Sequence, residues 1–381
     1  MICINVRSPY IVSIGDYGGT QTGSRVKLSI YQKGVTPPTS GVGFYSLSKN
    51  VPSATQRETR YNISNYVKEF FNHTYSSPQG QTPTNAPVED WIFVDVELSW
   101  YNGTTYTVIS TTTYVGLDGY TDYYLGANQE FAVGQKMHLL LTTISYLYPR
   151  KIQENSVRTF NLIAEVPSAG NKVDVVYSTT YLGSPYIVTI PTILTTDARG
   201  IYNKKIRLSI DNNFPVFKDN IYQVLVQWFA STTVVEGLSV PMQVIEECKY
   251  IPVDCNFINK LGGWELFPFF KAQTNSISVK GTDYKLTQSA LNYNNKIGQF
   301  KTFNTNGKQT IKLNTGFVEE IYSELITELL LSETVLLIIF GTEYPVTVKT
   351  QSSDLKTTLK DKNINYEIEF EFAYNLINDV I

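Results

Sequence analysis

The sequence predicts a mainly β fold. It reads as tandem β-sandwich modules of immunoglobulin or fibronectin type, followed by a C-terminal α+β module with one amphipathic helix packed on a β-sheet or split barrel. Three observations predict this. Composition is the first: of 381 residues, 27 are tyrosine, while charged residues reach only 17 %. Such a chain suits half-buried pleated surfaces. The second is a near-repeat, in which Ser8-Pro9-Tyr10-Ile11-Val12-Ser13-Ile14 recurs as Ser184-Pro185-Tyr186-Ile187-Val188-Thr189-Ile190. Downstream, Arg25-Val26-Lys27-Leu28-Ser29-Ile30 recurs as Lys205-Ile206-Arg207-Leu208-Ser209-Ile210, so two strand pairs occur in one order. The third lies at the C-terminal end, where a helical apolar spacing is followed by strict alternation.

These observations set three modules. Residues 1–165 form an N-terminal β-sandwich region with a Pro/Gly/Ser-rich loop at 75–87, 166–250 a second β-sandwich, and 251–381 an α+β assembly module. After the first strand pair, residues 60–71 read as a short helix capped by Ser64 or Asn65. Residues 91–100 alternate as a strand, and Asn102-Gly103 signals a hairpin into 106–113. Further strands are expected at 137–148, 174–181, 221–230 and 238–246, with a boundary near Tyr250. Beyond it, 253–258 reads as a strand, and Gly262-Gly263 as a hairpin turn that folds Trp264, Phe267, Phe269 and Phe270 onto a core. Short strands follow at 276–280, 284–286, 298–303 and 310–313.

The helix is read from Phe317, Ile321, Leu325 and Leu329, flanked by Val318, Tyr322, Ile326 and Leu330, with Glu319, Glu320, Glu324 and Glu328 opposite. Strands at 335–340 and 346–350 come next. In the last strand Ile364, Tyr366, Ile368, Phe370, Phe372 and Tyr374 alternate with Asn365, Glu367, Glu369, Glu371 and Ala373.

Charge and cysteine usage exclude several classes. Net charge is −3, and the basic runs are no longer than pairs such as Lys204-Lys205, so phosphate-neutralising nucleic-acid binding is not expected. Cys3, Cys248 and Cys255 make neither a disulfide framework nor a zinc pattern. A Cys248–Cys255 bridge stays open, with buried thiols the leading expectation. The N-terminus lacks the apolar core of a signal peptide, and the apolar stretch 321–340 is broken by Glu324, Glu328, Ser332 and Glu333. The expectation is a soluble chain made in the cytoplasm, without a membrane span.

Catalytic chemistry is sparse. The two histidines, His73 and His138, lie in different segments; His73 is expected at the surface and His138 at the start of an apolar strand. No nucleophile elbow, zinc-binding helix or phosphate loop is present. Asp95 and Glu97 share a strand face two residues apart, which an outward polar face explains better than a glycosidase pair. No cofactor or metal is expected. The best candidate for an interaction loop is the Tyr/Gly-rich stretch with Tyr114, Tyr120, Tyr123 and Tyr124 among Gly116, Gly119 and Gly126. Tyrosine gives large contact area at low entropy cost, whether toward protein or carbohydrate.

Several segments resemble a known group. They are Phe257-Ile258-Asn259-Lys260-Leu261-Gly262-Gly263-Trp264, Phe269-Phe270-Lys271, Leu313-Asn314-Thr315-Gly316-Phe317, Leu329-Leu330-Leu331-Ser332-Glu333, Pro345-Val346-Thr347-Val348-Lys349 and the run from Leu359 to Tyr374. Ser8 to Val12 and Tyr61 to Tyr66 join them. Together they resemble virion structural proteins from the tail modules of tailed phages and prophages of Bacteroidetes hosts, crAss-like phages among them. The resemblance covers 251–381 and the first seventy residues.

It implies a non-enzymatic virion component of the tail: a ring, hub, adaptor or fibre-base subunit. Its partners would be other tail or portal-proximal proteins and further copies of itself, and it carries over no binding or catalytic residue. Trp264, Phe317, Ile321, Leu325, Ile368, Phe370 and Phe372 then become the candidate assembly module. Glu367, Glu369 and Glu371 read either as a lumen lining or as an ordinary solvated face. Two other readings remain: a host-surface or carbohydrate-binding virion protein using the Tyr/Gly loop, and, remotely, a glycan-cleaving enzyme.

Overall fold

The computed structural model describes residues 2–16, 19–32, 34–73, 84–85, 91–132, 137–141, 145, 150–152, 158–165, 172–193, 199–206, 220–230, 233–245, 249–287, 289, 291, 293–350 and 363–377. The chain is mainly β, with several sheets. It divides into two compact units, Met1–Glu246 with Phe257–Leu266, and Glu247–Asn256 with Phe267–Ile381.

The first unit is built on a six-stranded sheet of β1 (Ile2–Asn5), β3 (Gly23–Tyr31), β4 (Phe44–Asn50), β7 (Trp91–Tyr101), β8 (Tyr106–Leu117) and β9 (Glu130–Ala132), in the order β4-β3-β7-β8-β1-β9. Pairing is antiparallel except between β1 and β8. Alternation in β3 and β7 sends Val26, Leu28, Ile30, Ile92, Val94 and Val96 to one face. There they meet the short pair β2 (Ile11–Ile14) and β5 (Thr59–Asn62), with Val67 of the adjoining helix α1 (Ser64–Lys68) and its N-cap Ile63. The opposite face buries Cys3, Trp91, Val115 and Leu117 with Leu140 and Ile163. The sheet is therefore covered on both sides only around β1, the start of β7 and the end of β8.

Two further sheets complete the unit. One holds β6 (Thr84–Asn85), β10 (Met137–Leu139), β12 (Arg158–Glu165) and β15 (Arg199–Ile206); the other holds β11 (Arg150–Ile152), β13 (Lys172–Tyr181), β14 (Ser184–Ile193), β16 (Ile221–Ala230) and β17 (Thr233–Val244). Most of the 75–87 loop, the second half of the 137–148 segment and residues 207–210 of the repeat lie outside the described residues. In the first copy of the repeat β2 and β3 enter different sheets; in the second, β14 carries the first segment, and the described part of the second segment, Lys205 and Ile206, ends β15 in another sheet. Their pairing differs, because β2 pairs with a later strand and β14 with the preceding one.

The second unit carries a seven-stranded sheet in the order β19-β18-β22-β23-β24-β21-β20. Its strands are β18 (Val253–Ile258), β19 (Trp264–Phe269), β20 (Thr274–Lys285), β21 (Phe300–Glu319), β22 (Val335–Ile339), β23 (Thr342–Val348) and β24 (Asn363–Phe372). The turn joining β18 to β19 counts with the first unit. Helix α2 (Tyr322–Leu331) follows β21 and buries Tyr322, Leu325, Ile326 and Leu329, with the Tyr322 ring 6.3 Å from that of Phe267. Ile364, Tyr366, Ile368, Phe370 and Phe372 of β24 are all buried, and Phe269 meets Phe370 edge to face at 5.8 Å.

Four expectations are corrected. Phe317 and Val318 belong to β21, and the helix begins only at Tyr322, with Ile321 at its N-cap. Phe317 is 70 % exposed, because spacing of four residues at a strand end also satisfies alternation. Glu328 is buried rather than solvent-facing. Helix α1 spans only Ser64–Lys68, and Ser64 does not cap it. Its hydroxyl instead donates to the Ser8 carbonyl and accepts from the Tyr10 amide, both at 2.7 Å. Finally, the four short strands between 276 and 313 are two long ones, β20 and β21, continuous through a bulge at Thr282/Asp283.

Candidate interaction surfaces

The Tyr/Gly segment is a loop held at both ends. Where β8 stops, the Gly119 carbonyl accepts from the Arg7 amide at 3.0 Å, and the Tyr120 amide donates to the Lys260 carbonyl at 2.9 Å. A side chain at Gly119 would place its β-carbon 2.6 Å from both Asn5 Oδ1 and that carbonyl, so only glycine passes here. Ser8 Oγ accepts from the Thr121 amide at 2.8 Å. Lys260 Nζ donates to Asp122 Oδ2 at 2.5 Å, holding that carboxyl below the usual carboxylate range. On the return, Asn128 sits at a positive φ of 61° and brackets Ile11, accepting from its amide at 2.5 Å and donating to its carbonyl at 2.9 Å.

Between these anchors Tyr123, Tyr124 and Leu125 form one 3-10 turn. Tyr123 is fully exposed and Tyr124 81 % exposed. The four candidate tyrosines therefore separate by role. Tyr123 and Tyr124 are displayed, and Tyr120 lies beside Arg7, whose guanidinium is 5.3 Å from its ring. Tyr114 lies in β8, not in the loop, and packs edge to face on Tyr10 at 5.3 Å.

The base of the loop rests on a buried polar turn. Asn259 Nδ2 donates to the Leu140 carbonyl at 2.9 Å, while Asn259 Oδ1 accepts from the amides of Leu261 and Gly263, each at 3.0 Å. Asn161 Oδ1 accepts from the Trp264 amide at 2.9 Å, and Ser145 Oγ donates to buried Glu265 at 2.8 Å. His73 is not at the surface. Its side chain is 4 % exposed and its Nε2 lies 2.8 Å from Asp118 Oδ2, with the Trp264 ring edge-on at 6.2 Å. Sequence reasoning missed this pair, since the two residues are 45 positions apart and nothing local joins them.

In the second unit the exposed feature is a ribbon. From Thr310 onward β21 pairs with β24, and just before it the Gly307 carbonyl accepts from the Leu376 amide at 2.8 Å while Asn306 Nδ2 donates to the Ile377 carbonyl at 3.0 Å. Phe300–Thr305 pairs only with β20. At about 3.3 Å per residue this free part runs ~20 Å. Every residue of β20 is exposed. Ile277, Val279, Phe300 and Phe303 stand out of it, Phe303 at 76 % exposure. A lone two-stranded ribbon is marginal in water, and several large apolar side chains exposed on such a ribbon mark a place of contact.

The acidic face of β24 is not bare. Lys308 and Lys349 each reach Glu371 at 2.7 Å, and Lys312 pairs with Glu367. Hydrogen bonds from these lysines lower the carboxyl pKa of Glu367 and Glu371. A lowered folded value means the stabilisation is present above the unfolded value of about 4.3 and is lost as pH falls through the folded one. Glu371→Gln should therefore lower the melting temperature at pH 7 by the equivalent of ~1 kcal/mol or less. That difference should shrink toward pH 3 in a thermal-melt series.

Of the remaining candidates, Asp95 accepts from Thr113 at 2.6 Å and Tyr31 at 3.2 Å, and Glu97 pairs with Lys27 at 2.8 Å. Burial and the neighbouring Asp95 push the Tyr31 hydroxyl up to about 12. Cys3 and Cys255 are buried thiols, and burial pushes Cys255 well up, the reverse of what a nucleophile needs. Cys248 and the His138 side chain lie outside the described residues. Among the described residues no cluster of three potential metal ligands occurs, and no helix is long and apolar enough to cross a membrane. No protein-family model matches the chain, and no curated protein matches it.

Proposed function

We propose that this chain is a non-enzymatic structural subunit of a phage tail, a ring, hub, adaptor or fibre-base component that works through oligomeric protein–protein contacts. Its N-terminal part would be two related β-sandwich modules of immunoglobulin or fibronectin type, and its partners other tail or portal-proximal virion proteins. The observation that carries this reading is the β20–β21 ribbon, where all of β20 and Phe300–Thr305 of β21 are exposed and carry several large apolar side chains, which makes sense once a partner covers it. Native mass spectrometry of the purified chain, alone and with proteins that co-purify in particles, tests it. The expected result is a defined high-order oligomer or a stoichiometric complex. A chain that stays monomeric at every concentration and with every particle protein overturns it.

A second reading rests on Tyr123 and Tyr124, two rings displayed on an anchored turn. In this reading the loop stacks on sugar faces as a host-surface or carbohydrate-binding element. A Tyr123→Ala/Tyr124→Ala chain should keep its stability within ~0.5 kcal/mol, because both rings are solvated. On a glycan array any binding should fall at least tenfold. Binding that survives the double substitution removes the loop from this role.

A further inference from the structure

β21 has chemically opposite ends. Around the free ribbon stand Lys280, Lys285, Lys296, Lys301 and Lys308 against the single acid Asp283. At the far end of the strand come Glu319 and Glu320, then Glu324 on α2, all exposed. Among the described residues Glu319, Glu320 and Glu324 form no ion pair, and neither do Lys280, Lys285, Lys296 and Lys301. Lys301 and Glu319 lie on one extended strand, roughly 60 Å apart at the strand rise. Screening extinguishes attraction over such a distance, so the two ends do not neutralise each other within one copy.

The root of the ribbon is concave. Ser278, Lys280, Asn306, Lys308, Lys349 and Glu371 line a pocket of about 370 Å³. It holds three ammonium groups around one carboxylate, which leaves it positive and able to accept further carboxylates. The acidic end carries its own apolar group, because Phe317 and Glu319 share the exposed face of β21. Edge-to-edge pairing of β20 with another β20 would bring Lys280 and Lys285 against like charges, which is how edge strands resist self-pairing. An acidic, aromatic surface meets no such penalty.

We propose that the basic ribbon of one copy docks on the Glu319–Glu320–Glu324 shoulder of a second copy, with Phe317 against the ribbon's aromatic side chains. The contact joins two different surfaces, so it is head-to-tail and closes a ring or extends a filament according to its rotation. This rests on the structural-subunit reading and supplies the contact that reading lacks.

Reciprocal charge reversal tests it, read by sedimentation velocity over a concentration series at 0.05 and 0.5 M NaCl (about 14 and 4 Å of screening length). One chain carries K280E/K285E/K301E and the other E319K/E320K/E324K; circular dichroism checks the fold, which these exposed positions leave intact. The wild type should associate about tenfold less tightly at the higher salt. Each reversed chain alone should lose at least tenfold in association, and an equimolar mixture should recover to within about threefold of wild type. Association unchanged in either reversed chain, or no recovery on mixing, overturns the proposed contact while leaving an oligomeric subunit standing. A wild-type chain that never associates overturns both readings.

Discussion

Gly263→Ala should cost the first unit about 3 kcal/mol, seen as a lower urea midpoint in tryptophan fluorescence. A β-carbon at this position falls 2.4 Å from the Leu140 carbonyl oxygen and 2.5 Å from Leu140 Cβ. Neither neighbour is the far end of a flexible side chain, so the turn itself must move. That movement pulls on the Gly263 carbonyl, which accepts from the Asn259 amide at 2.8 Å, and on the two bonds that tie Asn259 to Gly263 and Leu140. Each such bond is worth roughly 1 kcal/mol when lost, and a buried group left unpaired costs more. Trp264, among the largest fully buried side chains, is next in sequence and would be displaced with it. Trp91, Trp100 and Trp228 lie in the first unit, and Trp264 follows the substituted turn directly at the start of β19, so the emission reports mainly the first unit and this turn. Gly15→Ala is the control, since a β-carbon there meets nothing within 4 Å. A Gly263→Ala chain with the control's midpoint would falsify the packed turn.

What the sequence made legible depends on whether one face of an element is buried. The last strand alternates because Ile364, Tyr366, Ile368, Phe370 and Phe372 all enter a core while their neighbours meet solvent. Its period survives in the residues. All of β20 and the Phe300–Thr305 part of β21 lack a buried face, so no period marks them, and this Thr/Asn-rich stretch reads as scattered short strands rather than as β20 and β21. The start of α2 was obscured for a different reason: Phe317 and Ile321 satisfy helical spacing, yet the chain stays extended through Glu319. In the interaction loop the tyrosines were readable as surface residues, whereas their anchors were not. Gly262-Gly263 announced a turn, but its partner Leu140 lies 119 residues from Asn259. Likewise, nothing near His73 points to Asp118. Buried polar pairs are fixed by tertiary placement, which local pattern does not encode.

Phe370→Ala should destabilise the second unit by about 3–5 kcal/mol, while Phe317→Ala should leave its stability within ~0.5 kcal/mol. Sequence reasoning grouped these two phenylalanines in one assembly module, and burial separates them. Phe370 is fully buried. It stands opposite Ile311 of β21 and Val348 of β23 and meets the edge of the Phe269 ring. Removing it opens a cavity that the sheet cannot close, because β24 is hydrogen-bonded on both sides and so cannot move inward. Phe317 has no such core to lose, and its ring is already in water.

Hydrogen exchange read by mass spectrometry separates the two cases. Amides of β21, β23 and β24 should exchange faster by about two orders of magnitude or more in Phe370→Ala and at the wild-type rate in Phe317→Ala. If Phe317 instead serves the head-to-tail contact, its substitution should weaken association without changing exchange in the isolated chain. Protection lost in Phe317→Ala would make it a folding residue and withdraw it from the interface. Protection kept in Phe370→Ala would mean that β24 is not a core-packed interior strand of this sheet.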